Sequence, residues 1–150
     1  LLDGINPERI VISAEACGIG FRALERAIAY AKERVVFDRP IGQNQAIAHP
    51  LADSYSELVA AELLWQKAAW TYDRGEPAGP LANMAKIRCA DASFRACDRA
   101  LQTLGGFGYA REYHVERYWR EARLMRIAPI SQEMALNFVA EHVLELPRSY

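Results

Sequence analysis

The chain has 150 residues, one domain's length, and 51% of them are apolar, enough for a single hydrophobic core. Eighteen basic and nineteen acidic side chains leave a net charge of −1, which excludes the basic excess of a dedicated nucleic-acid or anionic-membrane binder. Cys17, Cys89 and Cys97 form no CxxC pair and argue against a disulfide scaffold or a zinc site, and no apolar run approaches the roughly 20 residues of a membrane span.

Helical periodicity runs through nearly the whole sequence. Pro7 suits a first helical position, with Asn6 as N-cap and Glu8 in the first turn, where the helix dipole favours a carboxylate. The stripe Ile12, Ala16, Ile19, Ala23, Ala27 and Tyr30 carries this helix to about residue 34. Gly18 and Gly20 interrupt it at a cost of about 1 kcal/mol each, so something is expected to pack closely there. Residues 37–42 read as a loop punctuated by Pro40 and Gly42. A second helix spans about 44–73, bent by Pro50, with Leu51, Tyr55, Leu58, Ala61, Trp65 and Ala68 facing inward. A third covers about 81–104, its inner face formed by Met84, Ile87, Ala90, Phe94, Cys97 and Leu101, and ends at Gly105-Gly106-Phe107-Gly108. Shorter helices follow at about 115–122 and 132–144, the last begun by Pro129 and Ser131 and stopped by Pro147. Three long and two shorter helices with short connections make an all-α antiparallel bundle in a single domain, 1–150.

Three places carry chemical potential. Gly105-Gly106-Phe107-Gly108, with Gln102 one turn earlier, reads either as a helix C-cap with a tight turn or as backbone open to a flat or phosphate-bearing ligand. Arg34, Phe37, Arg39, Gln43 and Gln45 make either a solvated loop with one buried Phe or a grip for a pyrophosphate and a stacked ring. Glu8, ahead of Ile10-Val11-Ile12, is either a helix-start charge or, if enclosed in an apolar pocket, a general base of raised pKa. His114 lacks a partner at metal-ligand spacing, and the charged run from Arg111 to Arg123 reads as a solvated helix face.

Taken in order, these segments resemble one family. Arg34-Val35-Val36-Phe37-Asp38-Arg39-Pro40-Ile41-Gly42-Gln43-Asn44-Gln45 is similar to the RxxFxxPIxxxQ segment of acyl-CoA dehydrogenases. Gln102-Thr103-Leu104-Gly105-Gly106-Phe107-Gly108-Tyr109 resembles their QxxGGxGY/F segment, and Glu112-Tyr113-His114-Val115-Glu116-Arg117 with Arg120-Glu121-Ala122-Arg123 their EYxVER…RDAR stretch. Ser131-Gln132 fits the start of their last helix. The resemblance covers essentially the whole chain and implies the C-terminal helical bundle of a longer, three-domain chain, inactive by itself.

The implied reaction is α,β-desaturation of an acyl-CoA thioester: a glutamate removes the α-proton and the β-hydrogen leaves as hydride to FAD. Electron-transfer flavoprotein is the implied electron acceptor, and a homodimer or homotetramer the implied assembly. By position, Arg34, Phe37, Gln45, Gln102, Gly105 and Gly106 are expected FAD contacts across a subunit interface. The segment that usually carries the base reads Ile127-Ala128-Pro129-Ile130, with Ala128 at the base position. Isovaleryl- and long-chain-like members place the glutamate instead in an ERLVL-like segment, which Glu8-Arg9-Ile10-Val11-Ile12 resembles. Glu8 is therefore the expected base, with Glu15 and Glu133 as weaker candidates and Arg9 as a substrate or carboxylate partner. The rival readings are an altered enzyme, an acyl-CoA oxidase or nitroalkane-oxidising flavoprotein, and a non-catalytic helical assembly module. A cytoplasmic location is expected, any N-terminal signal lying outside this stretch.

Overall fold

The computed structural model describes residues 3–148. Four helical columns pack side by side. Column one is α1 (Asn6–Glu33), preceded by a 3-10 turn at Asp3–Ile5. A two-residue hairpin, β1 (Val35–Val36) with β2 (Arg39–Pro40), leads through a 3-10 turn at Ile41–Gln43 into α2 (Gln45–Asp73). Next come α3 (Gly79–Leu104), the single turn α4 (Gly106–Tyr109), α5 (Val115–Leu124) and α6 (Gln132–His142).

Side-chain contacts fix the directions. Gly20 faces Leu58, and Phe21 meets Tyr55 edge-on, so α2 runs against α1. The pairs Arg99–Asp53, Arg95–Glu57 and Cys89–Ala61 run α3 against α2. Trp119 donates to Asp98, and further along Arg126 pairs with Asp91. Thus α5 descends α3, and α6 continues in the same direction. The fourth column is one helix broken over residues 125–131, a stretch that contains the cis Ala128–Pro129 peptide.

The core is built from small residues. Ala16, Ala23, Ala27, Ala61, Ala92, Ala96 and Ala100 are buried around Leu24, Leu58 and the three thiols. Such side chains let helices approach closely. At Gly20 an added Cβ would lie 2.7 Å from Leu58 and 3.1 Å from the Ser93 backbone, so the close neighbour expected there exists. At Gly18 it would meet nothing.

Several boundaries differ from the sequence expectations. Ile5, not Asn6, precedes α1 as its cap, because the Asn6 side chain is inside the helix accepting a bond from Arg9. The 37–42 loop is the tip of a hairpin, in register Val35↔Pro40 and Val36↔Arg39. Strands of two residues carry no alternation to read. Tyr55 is exposed and Lys86 buried, because α2 and α3 pack mainly through alanine and serine. Gly105 ends α3 as expected, with φ +58, but a further helical turn follows it. Ser131 caps α6, accepting from the Met134 amide. No helix among the described residues is long and apolar enough to cross a membrane.

Candidate functional site

The candidate residues fall at two ends of α1. At its start, Asn6, Arg9, Ile10 and Ser13 turn inward, while Glu8, Val11 and Glu15 face out. Arg9 is 1% exposed, and its Nη2 donates to Asn6 Oδ1 at 2.6 Å. Ser13 bonds the Arg9 carbonyl at 2.7 Å. Ile10 packs with Ala68, Ala82 and Ala85, which sets this end against the first turns of α3. Glu8 lies outside that cluster, with Val11 on its face 66% exposed. Among the described residues no apolar pocket encloses Glu8. Glu15 is likewise exposed, one helical face with Glu8.

The break in the fourth column meets the same part of α3. Lys86, one turn beyond Ala82, is 1% exposed and donates from Nζ to the Arg126 carbonyl at 3.3 Å. Asp91 accepts from both Arg126 Nε (3.0 Å) and Gln132 Nε2 (2.8 Å), and Arg126 also bonds Gln132 Oε1 at 3.0 Å. Between these anchors lie Ala128, Pro129 and Ile130, half-buried. Burial lowers the Lys86 pKa, opposed by Glu133 and Asp91 and assisted by Arg126. Glu133 bonds its own amide and Ser131 at the start of α6, which holds its carboxyl below the usual range and makes it a poorer base.

Sequence reasoning missed this group of four. The signal was the register of α3: Lys86 falls on the inward face with Ala82, Cys89 and Ser93. A lysine is ordinarily read as solvated.

At the far end of α1, Arg34, Phe37, Gln45, Gln102, Gly105 and Gly106 are all exposed. They are gathered by an aromatic cluster in which Tyr30 meets Phe107 (6.2 Å) and Tyr113 (6.5 Å) edge-on, and Phe107 lies 5.1 Å from Tyr113. The Ile41 amide bonds the Arg34 carbonyl, and Gly42 sits against the Ala31 carbonyl, where a Cβ would come within 3.0 Å. That contact seats the hairpin on α1. The buried Phe expected of a solvated loop is absent: the loop is exposed, and so is Phe37, 94% exposed at the hairpin tip with φ +52. Non-glycine residues in this region cost about 1–2 kcal/mol each. Gly105 needs its glycine for φ +58, and Gly108 for space, since a Cβ would fall 2.4 Å from the Leu101 carbonyl. Gly106 needs it for neither reason: a Cβ there meets nothing.

A guanidinium, two amides, a free ring and open glycine backbone form a donor set suited to a dinucleotide's phosphates and flat ring. From Glu8 to Arg34 the helix rises about 39 Å at 1.5 Å per residue. The two candidate regions on one chain are too far apart to touch the same reacting atoms. Among the described residues no group of three or more His, Cys, Asp and Glu side chains is placed to hold a metal.

Comparison with known proteins identifies the family. Residues 1–144 match the family described as acyl-CoA dehydrogenase, C-terminal domain. Acyl-CoA dehydrogenase FadE12 of Mycobacterium tuberculosis is 53% identical across 100% of this chain and 39% of its own length. The mitochondrial short-chain specific acyl-CoA dehydrogenase of Bos taurus is 38% identical over 97% of this chain and 35% of its own. The structure of butyryl-CoA dehydrogenase from Megasphaera elsdenii superposes with a TM-score of 0.93 at 34% identity, over 95% of this chain and 37% of that one. The chain thus spans under two fifths of the length of these relatives, and it belongs to the acyl-CoA dehydrogenase family as a C-terminal helical domain.

Proposed function

We propose that this domain serves FAD-dependent α,β-desaturation of an acyl-CoA thioester, supplying the base to one flavin site and cofactor contacts to another. The observation that carries the reading is the hairpin end. There, an exposed Phe37 at positive φ, the cation Arg34 and the unconstrained glycine Gly106 lie at one end of the bundle with no side-chain partner among the described residues that requires them. Strain and exposure of this kind persist where a ligand uses them. Arg34, Phe37, Gln45, Gln102, Gly105 and Gly106 would hold FAD, and bound FAD would supply the hydride acceptor. Because Glu8 stands about 39 Å from Arg34 along α1, the FAD held at the hairpin end belongs to a neighbouring subunit's catalytic site, in a homodimer or homotetramer.

At the other end, Glu8 takes the α-proton. An α-proton beside a thioester is weakly acidic, so the carboxylate has to be stripped of water to act on it. Glu8 is exposed in this domain, and the remaining domains and the acyl chain must cover it. Ala128, at the position usual for the base, leaves the space of a carboxylate free. Arg9, held inside by Asn6, fixes the first turns of α1 from which Glu8 projects. Electron-transfer flavoprotein is the proposed reoxidant.

The test uses the full-length protein, anaerobically. Wild type and Glu8→Gln are mixed with a panel of acyl-CoAs while bleaching of the oxidised flavin band is followed. Wild type should bleach, and Glu8→Gln should bleach about 10²–10⁴-fold more slowly, the usual range for a general base. Equal rates would pass the role to Glu15. Absence of bleaching in FAD-loaded wild type would favour an assembly module.

A further inference from the structure

The break in the fourth helical column needs an explanation of its own. A helix that stops leaves its last carbonyls without intrahelical partners. Here the Arg126 carbonyl, just past the end of α5, is met by a charged group from another helix, the Lys86 ammonium. Burying an ammonium is costly, and an apolar side chain of the same length would often pack as stably. Lysine at this inward position is therefore poorly explained by stability alone. Asp91, five residues further along α3, ties the two sides of the break together, since Arg126 precedes it and Gln132 follows it. The stretch between is thus held at both ends from one helix. It also meets α3 beside the turns on which Ile10, two residues from Glu8, packs.

We propose that Lys86 is a positioning residue for the reaction. Its buried ammonium holds the Arg126 carbonyl, and with the Asp91–Arg126–Gln132 clamp it fixes residues 127–131 as a wall of the acyl-CoA site opposite the Glu8 end of α1. This rests on the dehydrogenase reading above. Lys86 touches neither substrate nor flavin; it acts through the loop. Burial lowers the Lys86 pKa, Glu133 on α6 and Asp91 on α3 act to raise it, and Arg126 lowers it further.

The experiment compares full-length, FAD-loaded wild type with Lys86→Met, which keeps the length and removes the charge and the donor. Amide hydrogen exchange is read on peptides covering 127–131, with α2 as an internal control. Losing one charge-assisted hydrogen bond should speed exchange over 127–131 by about tenfold to a hundredfold, with α2 unchanged and the melting temperature within a few degrees. In anaerobic mixing, the flavin-reduction rate should fall by about tenfold to a hundredfold, as for other small misplacements of a reacting pair, while acyl-CoA affinity changes less than about threefold. Lys86→Gln keeps a neutral donor and should fall between the two; it also serves if Lys86→Met does not fold. Exchange over 127–131 equal to wild type would overturn the role. So would a uniform loss of protection across α3, α5 and α6, or a loosened loop with flavin reduction at the wild-type rate. Wild-type flavin that no acyl-CoA bleaches overturns the dehydrogenase reading instead, and the exchange measurement, which needs no turnover, stays separate from that failure.

Discussion

The two ends of α1 are finished in opposite ways. At its start, polar groups are turned in and hydrogen-bonded: Arg9 Nη2 to Asn6, Ser13 to the Arg9 carbonyl, and Lys86 to the Arg126 carbonyl. The group proposed to react, Glu8, is left facing out. At the hairpin end the donors themselves face out, held in place by aromatic edges, backbone bonds and the Arg39–Asn44–Ile41 side-chain hydrogen bonds. A base must be aimed to within a fraction of an ångström by a rigid support. A cofactor-binding surface shared between subunits needs open donors that a second chain can complete. One helix can serve both, provided its two ends belong to different catalytic centres.

The sharpest way to break this division is Glu8→Gln, whose proposed loss of about 10²–10⁴-fold in flavin reduction should leave FAD content untouched. If FAD is lost as well, the two ends are not independent. Next in size is Arg34→Ala, which should weaken FAD retention by about tenfold to a hundredfold, the range for one charge-assisted bond. Equilibrium dialysis of the full-length protein measures it, and the rate of proton abstraction in the fraction still loaded should be unchanged. Gly106→Ala and Gly108→Ala then make a pair. The Gly108 variant forces a Cβ onto the Leu101 carbonyl and should cost about 1–3 kcal/mol, seen as a lower melting temperature. The Gly106 variant meets nothing in the chain and should leave the melting temperature alone while weakening FAD retention. The smallest effect expected is at the thiols. Burial pushes the Cys97 thiol up to about 12, and a thiol hydrogen bond with Cys17 together with burial raises Cys89 further. Since the thiolate is the nucleophile, folded protein at pH 8 should react with a thiol reagent far more slowly than unfolded protein. Fast labelling would mean that the α1–α3 seam opens.

The columns were legible because their punctuation is strong: Pro7, the Gly75–Pro80 turn, Gly105 and Ser131 each sit within a residue or two of a real boundary. The hairpin was not, for want of any alternation in two-residue strands. Arg9 and Lys86 were not read as interior because charge normally signals solvent. Their burial depends on acceptors supplied by Asn6 and by the carbonyl of a residue 40 positions away. The site residues at the hairpin end were legible as motifs only through resemblance. The chain's own chemistry left each of them with a plain alternative, and of those only the buried Phe37 is excluded by the structure. Their separation from Glu8, in contrast, follows from counting residues along one helix.

The broken fourth column has a mechanical consequence. Backbone bonds continue past α5 only as turns to the Ala128 amide, and no α-helical ladder runs unbroken through residues 125–131, so α6 does not share the cooperativity of α5. Its own hold on the bundle is slight: Gln132 and Ala135 are its buried residues, whereas Met134 and Leu136 are about half exposed. The C-terminal segment should therefore behave as a separate folding unit, hinged at the Lys86–Asp91 anchor. In a truncated domain it would be the first part to detach, exposing its apolar side to other chains.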